Sequence, residues 1–273
     1  MQKLLNFCFE SEFYLKVAIT CTIFQQFFYE VLGSFKLNFI TQVILYWVVG
    51  SASFYTIGLF IEKVIKNNEQ LRGKLNVRVK QVNKKPVSAF TIKGIVTGEI
   101  KSFIAVLIIL SIAPEMHRGN NLVLNFTWFL MRIAVADFCF YVAHWSLHRK
   151  FWQKIHLKHH EFADSSSFVA GHKSLGEYII VTITDLLPIF IFGYDLNQLL
   201  AWTLIGNAYN LEGHSSLSIF FISSDFHDLH HTRFLGNYGI QGFWDRIFKT
   251  LNPPTKKSGI MFPIASLENK LHR

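Results

Sequence analysis

The sequence predicts an all-α protein, a polytopic membrane helical bundle of about four spans plus a helical hairpin. Three observations lead there. Hydrophobic residues make up 51% of the 273 positions and charged residues only 16%, against about 25% charged in soluble proteins. Phe39 to Ile61 runs for 23 positions without a charged residue. The charge that is present is clustered in a few segments and is too sparse to form an aqueous outer shell.

Taken in order, Phe13 to Tyr29 is a first, weaker span, with Lys16 near its start expected to snorkel its amine to the interface. Phe39 to Ile61 is the clearest, because about 20 apolar helical residues cross a hydrocarbon core of ~30 Å. Ser102 to Ala113 is apolar but short; it crosses with help from Thr91 to Lys101 and stops at Pro114. Leu122 to Ala143 holds Arg132 and Asp137, which are costly in lipid and are expected to face protein. Tyr178 to Phe192 and Leu196 to Tyr209 read as a helical hairpin turning at Gly193, Tyr194 and Asp195. Pro253 and Pro254 end the last structured element. Three segments result: 1–121 with the first spans and a basic loop, 122–254 with the chemistry described below, and a tail over 255–273. Cys8, Cys21 and Cys139 are too far apart for a metal or disulfide motif. Glu10 and Glu12 interrupt the apolar run after Lys3, so no cleavable leader is expected.

The net charge is +9. Its source is the loop Glu62 to Lys101, with ten Lys or Arg against three Glu. Basic loops stay in the cytoplasm. No aromatic-basic interleaving accompanies the loop, so nucleic acid is not the expected partner. With that loop fixed, parity of the spans brings the segments around His144–His172 and His214–His231 out on the cytoplasmic face.

Those segments hold ten of the 12 histidines within 88 residues, where even spreading would give about four. His144 and His148 form HxxxH. His156, His159 and His160 form HxxHH, and His227, His230 and His231 repeat it. On a helix such residues share a face, so each box is expected to aim its imidazoles in one direction. Imidazole suits zinc, copper, iron or nickel. Eight boxed residues with His214 and His172 are too many for one ion and suit a pair, held in a helical cap at the cytoplasmic face. Asp137, seven residues before His144, is the carboxylate expected to accept the second ring N–H of a metal-bound histidine. No P-loop, GxGxxG or GxSxG occurs, so electrons for any redox reaction must come from another protein. A zinc-dependent lipid enzyme without redox chemistry and a histidine-rich metal transporter remain open; boxes that flank the spans argue against transport.

The boxes, in this order and after these spans, resemble the fatty acid hydroxylase/sterol desaturase superfamily. The resemblance covers roughly Asp137 to Leu251. It is carried by Tyr141 through His148, by His156 through Phe162, by Gly213-His214-Ser215, by Phe226 through His231, and by the tail Gly236 through Gly239 and Phe243 through Phe248. Ser165 through Phe168, with the third box, is most similar to the sterol C4-methyl oxidase and cholesterol 25-hydroxylase types. Trp145 stands where the family often has Arg, and His172 to Glu177 lacks the family's proline. The resemblance implies two iron ions, O2 activation and hydroxylation or desaturation of a lipid or sterol C–H bond. It further implies electrons from NAD(P)H through cytochrome b5 or a similar reductase system. In a eukaryote it implies the endoplasmic reticulum membrane.

Overall fold

In the computed structural model, residues 2–33, 35–74, 91–117, 119–162, 166–222 and 226–252 are described. Side-chain oxygens start most of the long helices by accepting an orphan N–H of the first turn. Asn38 caps α2 (Phe39–Leu59), Thr91 caps α4 (Ile92–Ile112), Asn121 caps α5 (Leu122–Leu147), Ser174 caps α7 (Leu175–Phe192) and Asp195 caps α8 (Leu196–Gly213). Before them α1 runs Gln2–Leu32. Helix α2 continues as a π-helical turn, Phe60–Ile65, followed by the short α3 (Glu69–Lys74). Short pieces complete the chain: α6 (Gln153–His156), 3-10 turns at His159–Glu161 and Ser167–Gly171, α9 (Phe226–Arg233) and α10 (Phe243–Ile247). Among the described residues there is no strand. One isolated bridge, with Met116 N–H on the Tyr194 carbonyl (2.7 Å), ties the α4–α5 connection to the α7–α8 turn.

Helix α1 packs on α5 and α8, α2 on α8 and α4, and α5 on α7. Phe13, Val17, Cys21, Phe129, Ile133 and Trp202 fill the first contact. Val43, Val106, Leu110, Ile189, Leu199 and Leu200 fill the second. The outer faces are as apolar as the core. Ile100, Ile104, Ile108 and Ile112 form a four-residue-spaced stripe along α4, each 49–64% exposed. Such a stripe is a lipid-facing surface, and the protein is an integral membrane protein.

Four helices are long and apolar enough to cross a membrane: 39–65, 92–112, 122–147 and 175–192. The number agrees with the sequence reading, but the membership differs. The expected first span, in α1, is absent from this set, and α7, expected as half of a hairpin, is in it. Helix α1 is the more polar of the two, carrying Glu12, Lys16, Gln25, Gln26 and Glu30. Lys16 does not snorkel; it is buried, 2.7 Å from Glu12, and donates to the Phe220 carbonyl at 2.6 Å. Helix α1 is thus bound to the protein by a polar clasp. Arg132 faces protein as expected, lying 4.4 Å from the Trp202 ring and 5.1 Å from that of Trp128. The expected tail over 255–273 and the centre of the basic loop, 75–90, lie outside the described residues.

Gly58 lets α2 meet the segment after the second histidine box, since a Cβ there would lie 2.6 Å from the Phe168 ring. Gly58→Val should cost about 1–3 kcal/mol through overpacking. Combining it with Phe168→Ala should destabilise by less than the sum of the single changes, as read by thermal unfolding in detergent.

Candidate metal centre

The site is assembled at one end of the bundle from four pieces of chain. His144 lies in the last turn of α5, and His148 caps the helix. The α6 segment and the 3-10 turn after it carry His156, His159 and His160. His214 caps the C-terminus of α8. Helix α9 carries His227, His230 and His231.

Nine imidazoles converge as two groups. His144, His148, His156, His160 and His230 form the first, and His159, His214, His227 and His231 the second; within each group the possible ligand atoms lie within 4.8 Å of one another. In the first, Nε2–Nε2 separations are 3.1 Å (His144–His156), 2.9 Å (His156–His160), 3.1 Å (His160–His230) and 3.1 Å (His230–His148). In the second they are 3.3 Å (His159–His214), 2.9 Å (His214–His227) and 3.0 Å (His227–His231).

The far sides of the rings settle which nitrogens carry protons. Nδ1 of His144 donates to the Tyr238 carbonyl (2.8 Å), that of His230 to Gly236 (2.9 Å), that of His231 to Phe162 (3.0 Å) and that of His214 to Asn210 (2.8 Å). A carbonyl can only accept, so these Nδ1 atoms are protonated and the inward Nε2 atoms are bare lone pairs. Bare nitrogens about 3 Å apart repel each other. Two nitrogens ~2.1 Å from one ion and at right angles also lie about 3 Å apart. The donor set therefore fits one transition-metal ion per group.

The boxes do not each serve one ion, as their shared faces suggest. Residues four apart go together, and the one between goes to the other group. His156 and His160 join the first group while His159 joins the second. His227 and His231 join the second while His230 joins the first. His172 belongs to neither group. Its Nε2 stands 3.2 Å from Glu161 Oε2, and its ring packs on Phe162 at 4.7 Å.

Asp137 also differs from expectation. It reaches no histidine; it accepts the Ile240 N–H (2.8 Å) and the Tyr14 hydroxyl (2.5 Å). Asp245 accepts the N–H groups of Tyr238 and Gly239 (both 2.8 Å) and the Thr250 hydroxyl (2.7 Å). Together the two carboxylates hold the loop whose carbonyls orient His144 and His230. A Cβ on Gly239 would lie 3.0 Å from Asp245 and 3.2 Å from Asp137, so glycine allows both to close on the loop. The carboxylate beside a histidine is Glu177, with Oε1 3.0 Å from His156 Nδ1. Glu212 gathers the N–H groups of Ile219, Phe220, Phe221 and Ile222 (2.8–3.1 Å) and so fixes the stretch between His214 and α9. The signal for Glu177 was available in the sequence, since it is an acid opening an apolar run three residues after the cap Ser174.

A cavity of about 690 Å³ leads from His144, His156, His159, His214 and His227 between α2, α4, α7 and α8. Its size is that of a small-molecule site.

Residues 129–250 match the family model described as "Fatty acid hydroxylase". Over this stretch, a little under half of its length, the chain is similar to that family. A candidate methylsterol monooxygenase of Dictyostelium discoideum is 34% identical over 127 residues, covering 42% of this chain and 48% of that protein. Methylsterol monooxygenase 1 of Danio rerio is 29% identical over 128 residues, covering 43% and 44%. Fatty acid hydroxylase domain-containing protein 2 of Homo sapiens is 28% identical over 136 residues, covering 46% and 40%. The chain thus aligns with less than half the length of each of these relatives. No solved structure matches the chain.

Two expectations follow from the geometry. Elemental analysis should find less bound transition metal in His230→Ala and in His227→Ala, and an unchanged content in His172→Ala. The second concerns pH. Burial holds His159, His160, His214, His227 and His230 far below the usual imidazole value and sets His148 and His231 at about 4. The unfolded chain protonates near 6.5, so below that pH it binds more protons than the folded chain. The melting temperature of metal-free protein should fall from pH 6.5 towards 4, and bound metal should oppose the fall.

Proposed function

We propose that this chain is an iron-dependent membrane oxidoreductase that uses O2 to hydroxylate or desaturate a C–H bond of a sterol or related lipid. The observation that carries this reading is the convergence of nine histidines into two groups, five of whose members line a cavity between apolar helices. The methylsterol monooxygenase names of its relatives favour a methylated sterol among the lipids. Two iron ions, one per histidine group, would supply the activation of O2 and the oxidising power for an unactivated C–H bond.

The chain's own tasks are positional. The carbonyls of Tyr238, Gly236, Phe162 and Asn210 keep the Nδ1 protons outward and the donor atoms bare. Glu177 places a carboxylate oxygen 3.0 Å from Nδ1 of His156. Segment 122–254 supplies the ligands, and segment 1–121 supplies α2 and α4 as cavity walls that admit lipid and exclude water. Electrons reach the site from NAD(P)H through an external donor of the cytochrome b5 kind. Arg149, Lys150, Lys154 and Lys158, next to the first two boxes, suit an acidic donor on a cytoplasmic face. The membrane in a eukaryotic cell would be that of the endoplasmic reticulum.

The test is turnover by purified protein with 4-methylated sterols, NADPH, cytochrome b5 and its reductase, read by mass spectrometry alongside iron content. Oxygenated product should form with wild-type protein and be lost with His230→Ala and His231→Ala. Product that persists without O2, or in a zinc-loaded and iron-free protein, would reject the reading in favour of a non-redox lipid enzyme.

A further inference from the structure

The walls of the cavity are not uniformly apolar. Between α2, α4 and α7, on membrane-spanning helices, a belt of polar groups lines it: Ser51, Tyr55, Glu99, Ser102, Tyr178 and Thr182. Ser51 donates its hydroxyl to Glu99 Oε2, and the Tyr55 phenol is near enough to feel the Glu99 carboxyl electrostatically. Tyr178 stands near Thr182 on its own helix and Ser102 across the gap to α4. None of these groups touches the metal centre, and a carboxyl in a spanning helix is costly unless it has a task.

A carboxyl group has about four lone-pair sites on two oxygens. Ser51 occupies one, and Glu99 lines the cavity only half-buried, with acceptor capacity to spare. We infer that Glu99, oriented by Ser51, anchors the hydroxyl group of an otherwise apolar lipid and thereby sets which end of it meets the metal centre. This inference rests on the lipid-oxidation reading of the same cavity and adds to it a residue that selects the substrate.

Four lysines, Lys93, Lys101, Lys158 and Lys173, line the cavity against three acids, Glu99, Glu177 and Asp185, and this basic excess favours a neutral alcohol over a cation. Position follows from the helix. Tyr178 succeeds Glu177, whose carboxyl stands 3.0 Å from His156, so the belt begins level with the metal centre and extends about one turn along α7. A ligand held there presents the carbons nearest its hydroxyl to the histidines, in preference to a distant chain end.

The experiment is binding to the metal-loaded full chain in lipid nanodiscs, comparing a 4,4-dimethylsterol with its 3-O-methyl ether and its 3-amino analogue. Wild-type protein should prefer the free alcohol over the ether by about tenfold or more, the worth of one hydrogen bond to a carboxylate. Glu99→Leu should abolish the preference, and Glu99→Gln, which keeps the shape and one acceptor, should retain part of it. Metal content and melting temperature equal to wild type certify that each variant is folded. Equal binding of alcohol and ether by wild type, a preference kept by Glu99→Leu, or tighter binding of the amine than of the alcohol would overturn the inference. Turnover separates it from the broader reading. Protein that prefers the alcohol but oxidises neither ligand keeps the anchor and loses the oxidase; protein that binds and oxidises both alike does the opposite.

Discussion

An imidazole nitrogen without a proton repels another placed about 3 Å away, and this chain packs nine imidazoles into two groups at such distances. The arrangement is helped by the rings that are held from behind. Backbone carbonyls fix Nδ1–H on four of the rings, and burial disfavours the protonated form that would otherwise relieve the repulsion. Much of the surrounding structure serves that constraint. Asp245 and Asp137 hold the Gly236–Gly242 loop, and Glu212 holds the connection into α9. Tyr14 of α1 closes on Asp137, which links a helix distant in sequence to the same loop. These three buried carboxylates thus act as clamps on backbone, whereas Glu177 stands against His156.

Much of this was legible in the sequence, and the reason is locality. Box spacing, helix caps and uncharged runs are properties of a few consecutive residues, so the helices and the eight boxed histidines that the fold gathers could be read directly. The limits were set by long-range packing. That His159 leaves its neighbours His156 and His160 for the opposite group depends on where α9 docks. That Lys16 is buried against Glu12 and the Phe220 carbonyl, and does not reach the interface, depends on a contact 204 residues away. Asp137 was correctly singled out as a carboxylate that needs a partner, yet its partners come from α1 and the loop after α9. His172 shows the converse error, where proximity to a box suggested a ligand and the fold turned the ring to Glu161.

The membrane explains the remaining design. Helix α4 packs on α2 and leaves most of its surface apolar and outward. In water that would be an aggregation surface; in lipid it is solvated, and it makes α4 the thin wall between the bilayer and the cavity. The polar belt on its inner side is correspondingly conspicuous, because hydroxyl and carboxyl groups in that position have no water to satisfy them and must satisfy one another or a guest.

The exchange of histidines between the boxes has a consequence for biosynthesis. Neither group can be completed by a chain that stops after the second box, because His230 belongs to the first group and His227 and His231 to the second. The carbonyl that holds His144 belongs to Tyr238, whose loop is clamped in turn by Asp245 and Thr250. During synthesis the spanning helices enter the bilayer well before that tail leaves the ribosome. The nascent protein therefore passes through a stage in which its membrane helices are inserted while the inward-facing nitrogens of α5 still lack their counterparts. Both sites are then finished by the arrival of one short helix and the loop that follows it.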